Sequence, residues 1–416
     1  MTSTTRSEQT QTRLPWLPLL ALSTAVFITA LTETLPAGLL PGMSATLGVS
    51  AAMSGQAVTV YAAGTALTAI PLARATAPFN RKTVLLWSMA IFAVANTLTA
   101  LIPIYTIMLA GRVIAGIAAG LAWAVLAGYA RRLAPAGLEG RAIAIAMTGI
   151  PVALALGVPA GTFIGQHLDW RAAFLAITVA AIGVIIWIAG GVPAVSNGAQ
   201  DDAARAATAR ATLAIPGVLP IMAVVLLYVL GHTIVYSYIA PYLEAVGLGS
   251  QVDLILLVFG AASLVSIWLT GRYVDTRLRA LALAASILFV IAGTVLATNS
   301  APILIWIAIA IWGLGWGGIP SLLQTAAPRA ALVHSPAAAD TAQAILVTLW
   351  NAAMALGGLV GGIILAGIGT TAIPIAATSF VVLSLLIIAV ARRHAFPSRT
   401  PYVADMSEMT HEQSTH

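Results

Sequence analysis

Long apolar stretches alternate with short polar joints along this chain, and the length of the stretches leaves it one way to fold. A bilayer core of about 30 Å takes about 20 apolar residues as helix, and inside it each backbone amide must find its partner within the helix. Twelve segments reach that length: 15–39, 52–74, 83–102, 105–130, 141–165, 171–192, 216–243, 251–271, 279–298, 302–325, 338–366 and 371–391. A soluble alternative is ruled out by a composition that is 60% hydrophobic and only 8% charged, because soluble domains carry about 25% charged residues. The expected class is an all-α integral membrane protein with twelve transmembrane helices. The first stretch, starting near Trp16, exceeds the roughly 7–15 apolar residues of a signal-peptide core and no small-residue cleavage site follows it, so it is expected to stay as a helix.

The joints set the organisation. The one long polar connection, Ser196 to Thr212, carries Asp201, Asp202, Arg205 and Arg210, and divides the spans six and six. Of the 19 Lys and Arg, all but Arg112 and Arg171 fall in the tails and in alternate connections. Basic residues stay on the cytoplasmic side, so both termini and the central linker are expected in the cytoplasm. The alternation also supports the segment count, since one missed or invented span would scramble it. Arg74, Arg81 and Lys82 follow the second span as Arg272, Arg277 and Arg279 follow the eighth, which suggests a duplicated six-helix unit.

Several function classes drop out. A sequence pI near 10.0 hints at nucleic acid, but the basic residues mark loops and are not interleaved with aromatics, so none is expected. The absence of cysteine excludes disulfides, thiolate metal sites and cysteine nucleophiles. No phosphate-binding Gly-rich loop and no paired histidines with metal-ligand spacing occur, so no enzyme activity, cofactor or metal is expected.

Within the apolar segments, Glu33 is the acidic residue set well inside. It lies in Leu31-Thr32-Glu33-Thr34-Leu35-Pro36-Ala37-Gly38-Leu39-Leu40-Pro41. Placing a carboxylate there costs roughly 2.5–3.5 kcal/mol on insertion scales, so it is rare without a cavity or a function. A low dielectric disfavours the charged form of a carboxyl group, which suits loading and releasing a proton. Contact with headgroup water near the outer end of the helix is the plainer alternative. Arg112, in Gly111-Arg112-Val113-Ile114-Ala115-Gly116, is a second intramembrane charge; it either tunes the carboxyl or snorkels to the surface.

The fifth segment reads Gly149-Ile-Pro-Val-Ala-Leu-Ala-Leu-Gly157-Val-Pro159-Ala-Gly161-Thr-Phe-Ile-Gly165. Its small residues allow close backbone approach, which suits one helix rocking against another. In the second half, His232, Tyr236, Tyr238, Trp312, Trp316, Trp350 and Asn351 offer aromatic faces with a few polar tips. Such faces either line a site for a planar or amphipathic ligand or form interfacial belts.

These segments together resemble a twelve-span drug:proton antiporter of the major facilitator superfamily. More narrowly the chain is similar to bacterial efflux proteins for sugars, purine ribonucleosides and drugs, over roughly residues 15–393. The resemblance implies six-helix bundles at 15–193 and 216–393 joined by the linker 194–215, with cytoplasmic tails 1–14 and 394–416, in the cell membrane. It implies a proton-coupling role for Glu33 and Arg112, and an antiporter motif in Gly149, Gly157, Pro159, Gly161 and Gly165. A cavity between the bundles would be lined by Glu33, Gln56, Tyr61, His232, Tyr236, Trp312, Trp350 and Asn351. Export of a small organic molecule against protons, by a monomer, is the implied function; proton symport or facilitated uptake is the alternative. The family's gating loop has Gly, an Asp four residues on, then Gly-Arg-Lys. Here Ala73 to Lys82 keeps Arg81 and Lys82 but lacks the glycines and the acid, whereas Gly271, Asp275 and Arg279 keep more of the pattern in the second copy.

Overall fold

The computed structural model describes residues 14–76, 78–135, 138–195, 208–298 and 301–397. Most of the expected tails and linker, with Arg6, Arg13, Asp201, Asp202 and Arg205, lie outside them. Every regular element among the described residues is helical. Eleven helices are long and apolar enough to cross a membrane. One of them, Val252–Ala297, is 46 residues long, about 70 Å at 1.5 Å per residue. That is more than twice the bilayer core, so it is two spans, and the total is twelve.

The join between those two spans corrects the sequence reading. A loop was expected over 272–278, but the chain stays helical there and departs from helical angles at Arg277 (φ −134°, ψ 28°). No proline interrupts 272–278, and one residue is enough to turn the axis.

Four spans are broken, each near prolines; the tenth is interrupted at Gly318, between Pro302–Gly317 and Ile319–Leu332, beside Pro320. The first runs Trp16–Thr34 and then Pro36–Leu47, with Leu35 keeping right-handed angles between them, and it ends at Gly48 in the left-handed region (φ 64°). The span therefore reaches well past the expected end at 39, which moves Glu33 to the middle of the helix. The fifth is assembled from Glu139–Met147, Gly149–Val152, a π-turn Ala153–Gly157 and Val158–His167. Pro151 and Pro159 lack the N–H that would bond the carbonyls of Met147 and Ala155, and the wide turn absorbs the mismatch. The seventh breaks at Tyr238 (φ −116°, ψ 21°) between Val218–Ser237 and Ile239–Ala245. There Pro241 cannot donate to the carbonyl of Ser237.

The duplication is visible in side-chain bonds. Lys82, opening the third span, donates from Nζ to the carbonyl of Ala189 at the end of the sixth (2.8 Å). Arg279, opening the ninth, donates to the carbonyl of Ala389 at the end of the twelfth (2.9 Å). In both halves a cation satisfies the unpaired carbonyls and the negative dipole end of the closing helix.

These bonds mark the end of the molecule where the basic residues gather, here called the basic end. The two six-helix bundles meet towards the opposite, far end. The second span (Ala51–Ala75) packs on the eleventh (Pro336–Gly367), Thr59 against Gly358 and Gln56 against Gly362. On the other side of the interface Gly260 of the eighth span lies against Leu154 and Ala155 of the fifth. At the far surface Gln166 donates from Nε2 to the carbonyl of Gly249 (3.1 Å).

Candidate functional site

Glu33 lies in the middle of the first span, 8% exposed, and its carboxylate accepts no hydrogen bond from a described residue. The carboxylate is not sealed, however: its oxygens keep some accessible surface, in contrast to the terminal nitrogens of Arg112, which are fully buried without partners. Around it the first span is held by the third, where Asn96 Nδ2 donates to Thr32 Oγ1 (3.4 Å). Tyr61 of the second span donates its hydroxyl to the carbonyl of Thr29 (3.1 Å).

Arg112 is 0% exposed, which removes the snorkelling alternative. Its Nε donates to the carbonyl of Ala57 (3.2 Å), and its guanidinium lies over the ring of Tyr61 at 4.7 Å and near that of Phe174 at 5.8 Å. Ring faces offset part of the desolvation of a cation, by about 0.5–2 kcal/mol. Glu33, Tyr61 and Arg112 are within electrostatic reach of one another, yet Glu33 and Arg112 form no ion pair. The arrangement is therefore an unpaired, nearly buried carboxylate near a fully buried cation that rests on a tyrosine ring.

Gly149, Gly157, Gly161 and Gly165 of the fifth span all face the first span. A Cβ on Gly149 would strike the carbonyl of Ser23 and the amide of Phe27; on Gly157 it would meet Phe27, on Gly161 Leu35, and on Gly165 Leu39. Pro159 is buried beside them. This small-residue face is turned within its own bundle, towards the helix that carries Glu33. The opposite bundle is met through Leu154 and Ala155.

In the second half the aromatic residues are brought together, chiefly on one another. His232 stacks on Trp316 with ring centroids 3.3 Å apart and planes 3° from parallel, and it sits 5.3 Å from both Tyr236 and Trp312. Trp312 is packed between Phe259 (4.5 Å) and Phe289 (6.2 Å) and is 1% exposed. Trp350, half-buried, tilts against Trp316 at 5.7 Å. Asn351 Nδ2 is used on the carbonyl of Val347 (2.9 Å). Tyr236 reaches across the interface to make a side-chain contact with Thr34, the neighbour of Glu33. Gln56 Nε2 bonds the carbonyl of Ala52 (3.3 Å) beside Gly362. Truncating Trp312 to alanine is expected to destabilise the protein by about 3–5 kcal/mol; the same change at Trp350 is expected to lower a thermal midpoint in detergent far less.

The gating-loop residues differ between copies. Asp275 pairs with Arg329 across the ends of the eighth and tenth spans. Ala77 stands at the corresponding place in the first copy. Asn80 caps the third span by accepting from the amide of Lys82 (2.9 Å). Gly271 is exposed with nothing within contact of a Cβ, and Arg279 serves as the helix-end cap described above. Because Asp275 and Arg329 are solvent-exposed, Asp275→Asn is expected to change stability by less than about 1 kcal/mol, measured as a shift in denaturation midpoint with and without Arg329→Gln.

Reading the sequence passed over Gly55, Gly358 and Gly362, which lie at close contacts between the bundles, and Gly361 beside them. Small residues four apart, Gly357-Gly358 and Gly361-Gly362, were the available signal. A cavity of about 410 Å³ also opens at the far end, lined by both bundles through Gly38, Gln166, His167, Ala240, Glu244 and Ser250.

Two duplicated six-helix bundles meeting around a buried charge define a membrane transporter of the solute-carrying kind. The chain belongs to the Major Facilitator Superfamily, whose profile matches residues 22–358. It is 32% identical over 358 residues to an uncharacterised transporter of that superfamily, YtbD, from Bacillus subtilis, covering 84% of this chain and 89% of the relative. It is 29% identical over 379 residues to a chloramphenicol efflux pump of Mycobacterium tuberculosis, covering 88% and 90%. The inward-open structure of the E. coli xylose transporter superposes with a TM-score of 0.73 at 14% identity, covering 89% of this chain and 95% of that one, and so shares the fold.

Proposed function

We propose that the chain is a monomeric secondary transporter of the cytoplasmic membrane that exports a small organic molecule in exchange for protons. The bundles 15–193 and 216–393 rock about their interface to give alternating access. The observation that carries this reading is Glu33: a nearly buried carboxylate in mid-membrane, unpaired although a buried arginine is within electrostatic reach. Such a group exchanges a proton against substrate binding without moving Arg112 from its tyrosine ring. Each charge carried across 100 mV supplies roughly 2.3 kcal/mol, enough for appreciable accumulation. The concentration of basic residues supports a cytoplasmic basic end, with both termini and the linker on that side. In that orientation the contacts between bundles described above lie towards the outside, which supports reading this conformation as closed outward.

The substrate class to try first is an amphipathic drug such as chloramphenicol, the cargo named for the mycobacterial relative; purine nucleosides and pentoses follow from the wider resemblance. Inside-out vesicles with an acid lumen test the reading. Accumulation of substrate, with proton release from the lumen that requires substrate, is the expected result. Accumulation that instead needs the opposite gradient would establish symport, and substrate-independent proton movement would end the exchange mechanism.

A further inference from the structure

One close contact between the bundles is a single side chain in a socket of glycines. Tyr238 stands at the break of the seventh span and is 0% exposed. Its hydroxyl donates to the carbonyl of Gly358 (2.7 Å), and its ring lies against Gly361, both in the eleventh span of its own bundle. The other face of the ring lies on Gly55, in the second span of the opposite bundle, where a Cβ would run into the ring atoms and hydroxyl. The hydroxyl also lies close to Gly362. All these residues belong to the far third of their spans.

Two features separate this contact from ordinary helix packing. The bond to Gly358 ties the tyrosine to its own bundle, so that only Gly55 leaves it when the bundles part; ring and glycine behave as knob and hole. In addition, the hydroxyl of Thr59, which lies against Gly358 across the same seam, is buried without a partner. An unsatisfied hydroxyl favours the parted state, in which water reaches it. The second seam, Gly260 on Ala155, is smooth and has no such knob. The seam thus has a closed arrangement held by shape and an open one favoured by hydration, which is what a two-state gate needs.

We propose that Tyr238, docking on Gly55, is the residue that closes the outer gate. The proposal rests on the alternating-access reading above, but its test needs neither substrate nor proton gradient. A failed exchange assay therefore leaves it standing, and its own failure leaves the exchange assay standing.

The chain has no cysteine of its own, so a single Ala240→Cys, at a buried position lining the far-end cavity, reports opening. Intact cells are treated with a membrane-impermeant maleimide and the labelling rate is measured. Adding Gly55→Ala, and more strongly Gly55→Val, is expected to raise that rate, by about tenfold for valine, as the population shifts to the outward-open state. Tyr238→Ala on its own is expected to raise the rate too, because the side chain that closes the gate is gone, and to add little to Gly55→Val. An unchanged rate in both glycine variants, eluting as folded protein in detergent, overturns the proposal. So does a rate that Tyr238→Ala leaves at the wild-type value. If valine prevents folding, the alanine variant and Tyr238→Ala decide the matter by the same comparison.

Discussion

Glu33→Gln is expected to remove gradient-driven transport while leaving the protein folded. Glutamine keeps the length and polarity of the side chain, so the packing of the first span against Tyr61, Asn96 and the fifth-span glycines is undisturbed. What it loses is the exchangeable proton and the negative charge facing Arg112. In vesicles with an imposed pH gradient, the rate of accumulation is expected to fall at least about tenfold, a loss that appears in the driven step. Substrate exchange without net proton movement is the informative companion measurement. It survives if Glu33 handles protons alone, and it fails with the driven rate if the carboxylate also holds substrate. Thermal stability in detergent is expected to be unchanged or higher, since a mid-membrane carboxylate costs roughly 2.5–3.5 kcal/mol that an amide largely avoids. Gradient-driven accumulation at the wild-type rate would sink the proton role outright.

The reason this single change has so large an expected effect lies in the geometry beside it. Arg112 has no exposed surface and is held by the Ala57 carbonyl and two aromatic rings. A guanidinium in that position cannot leave to follow a proton. Glu33, 8% exposed where Arg112 is 0%, is for that reason the member to which the proposed proton exchange is assigned.

How much of this was legible beforehand depended on the physical source of each feature. Span count and the class of fold follow from hydropathy and the placement of basic residues, because lipid leaves the backbone few alternatives. Glu33 and Arg112 stood out for the same reason: a charge in hydrocarbon is expensive wherever it is placed. The helix running through Arg277 was not legible, since Gly271 and a cluster of arginines look like a loop whether or not the backbone unwinds. Nor was the direction of the fifth-span glycines. Their spacing announces a smooth face, but the π-turn at Ala153–Gly157 shifts the register, and only the three-dimensional arrangement shows that the face meets the first span. Tyr238 was visible as one aromatic among many; its socket is assembled from glycines almost the whole chain apart.

The fifth span offers the second large effect, and here two glycines of the same motif are expected to behave differently. At Gly149 an added methyl group meets the backbone of the first span, the carbonyl of Ser23 and the amide of Phe27. Backbone in a helix cannot yield locally, so Gly149→Ala must push the two spans apart. At Gly165 the nearest obstacle is the end of the Leu39 side chain, which changes rotamer at small cost. Overpacking of the first kind is expected to cost about 1–3 kcal/mol or more, while Gly165→Ala is expected to stay within about 1 kcal/mol. Thermal unfolding in detergent checks the contrast, with Gly161→Ala, which meets the end of the Leu35 side chain, expected to behave like Gly165→Ala. Equal loss at Gly149 and Gly165 would show that the motif acts through glycine's backbone freedom and not through close approach to the first span. If the contrast holds, Gly149→Ala should also slow transport more than its stability loss explains, because the displaced helix is the one that positions Glu33.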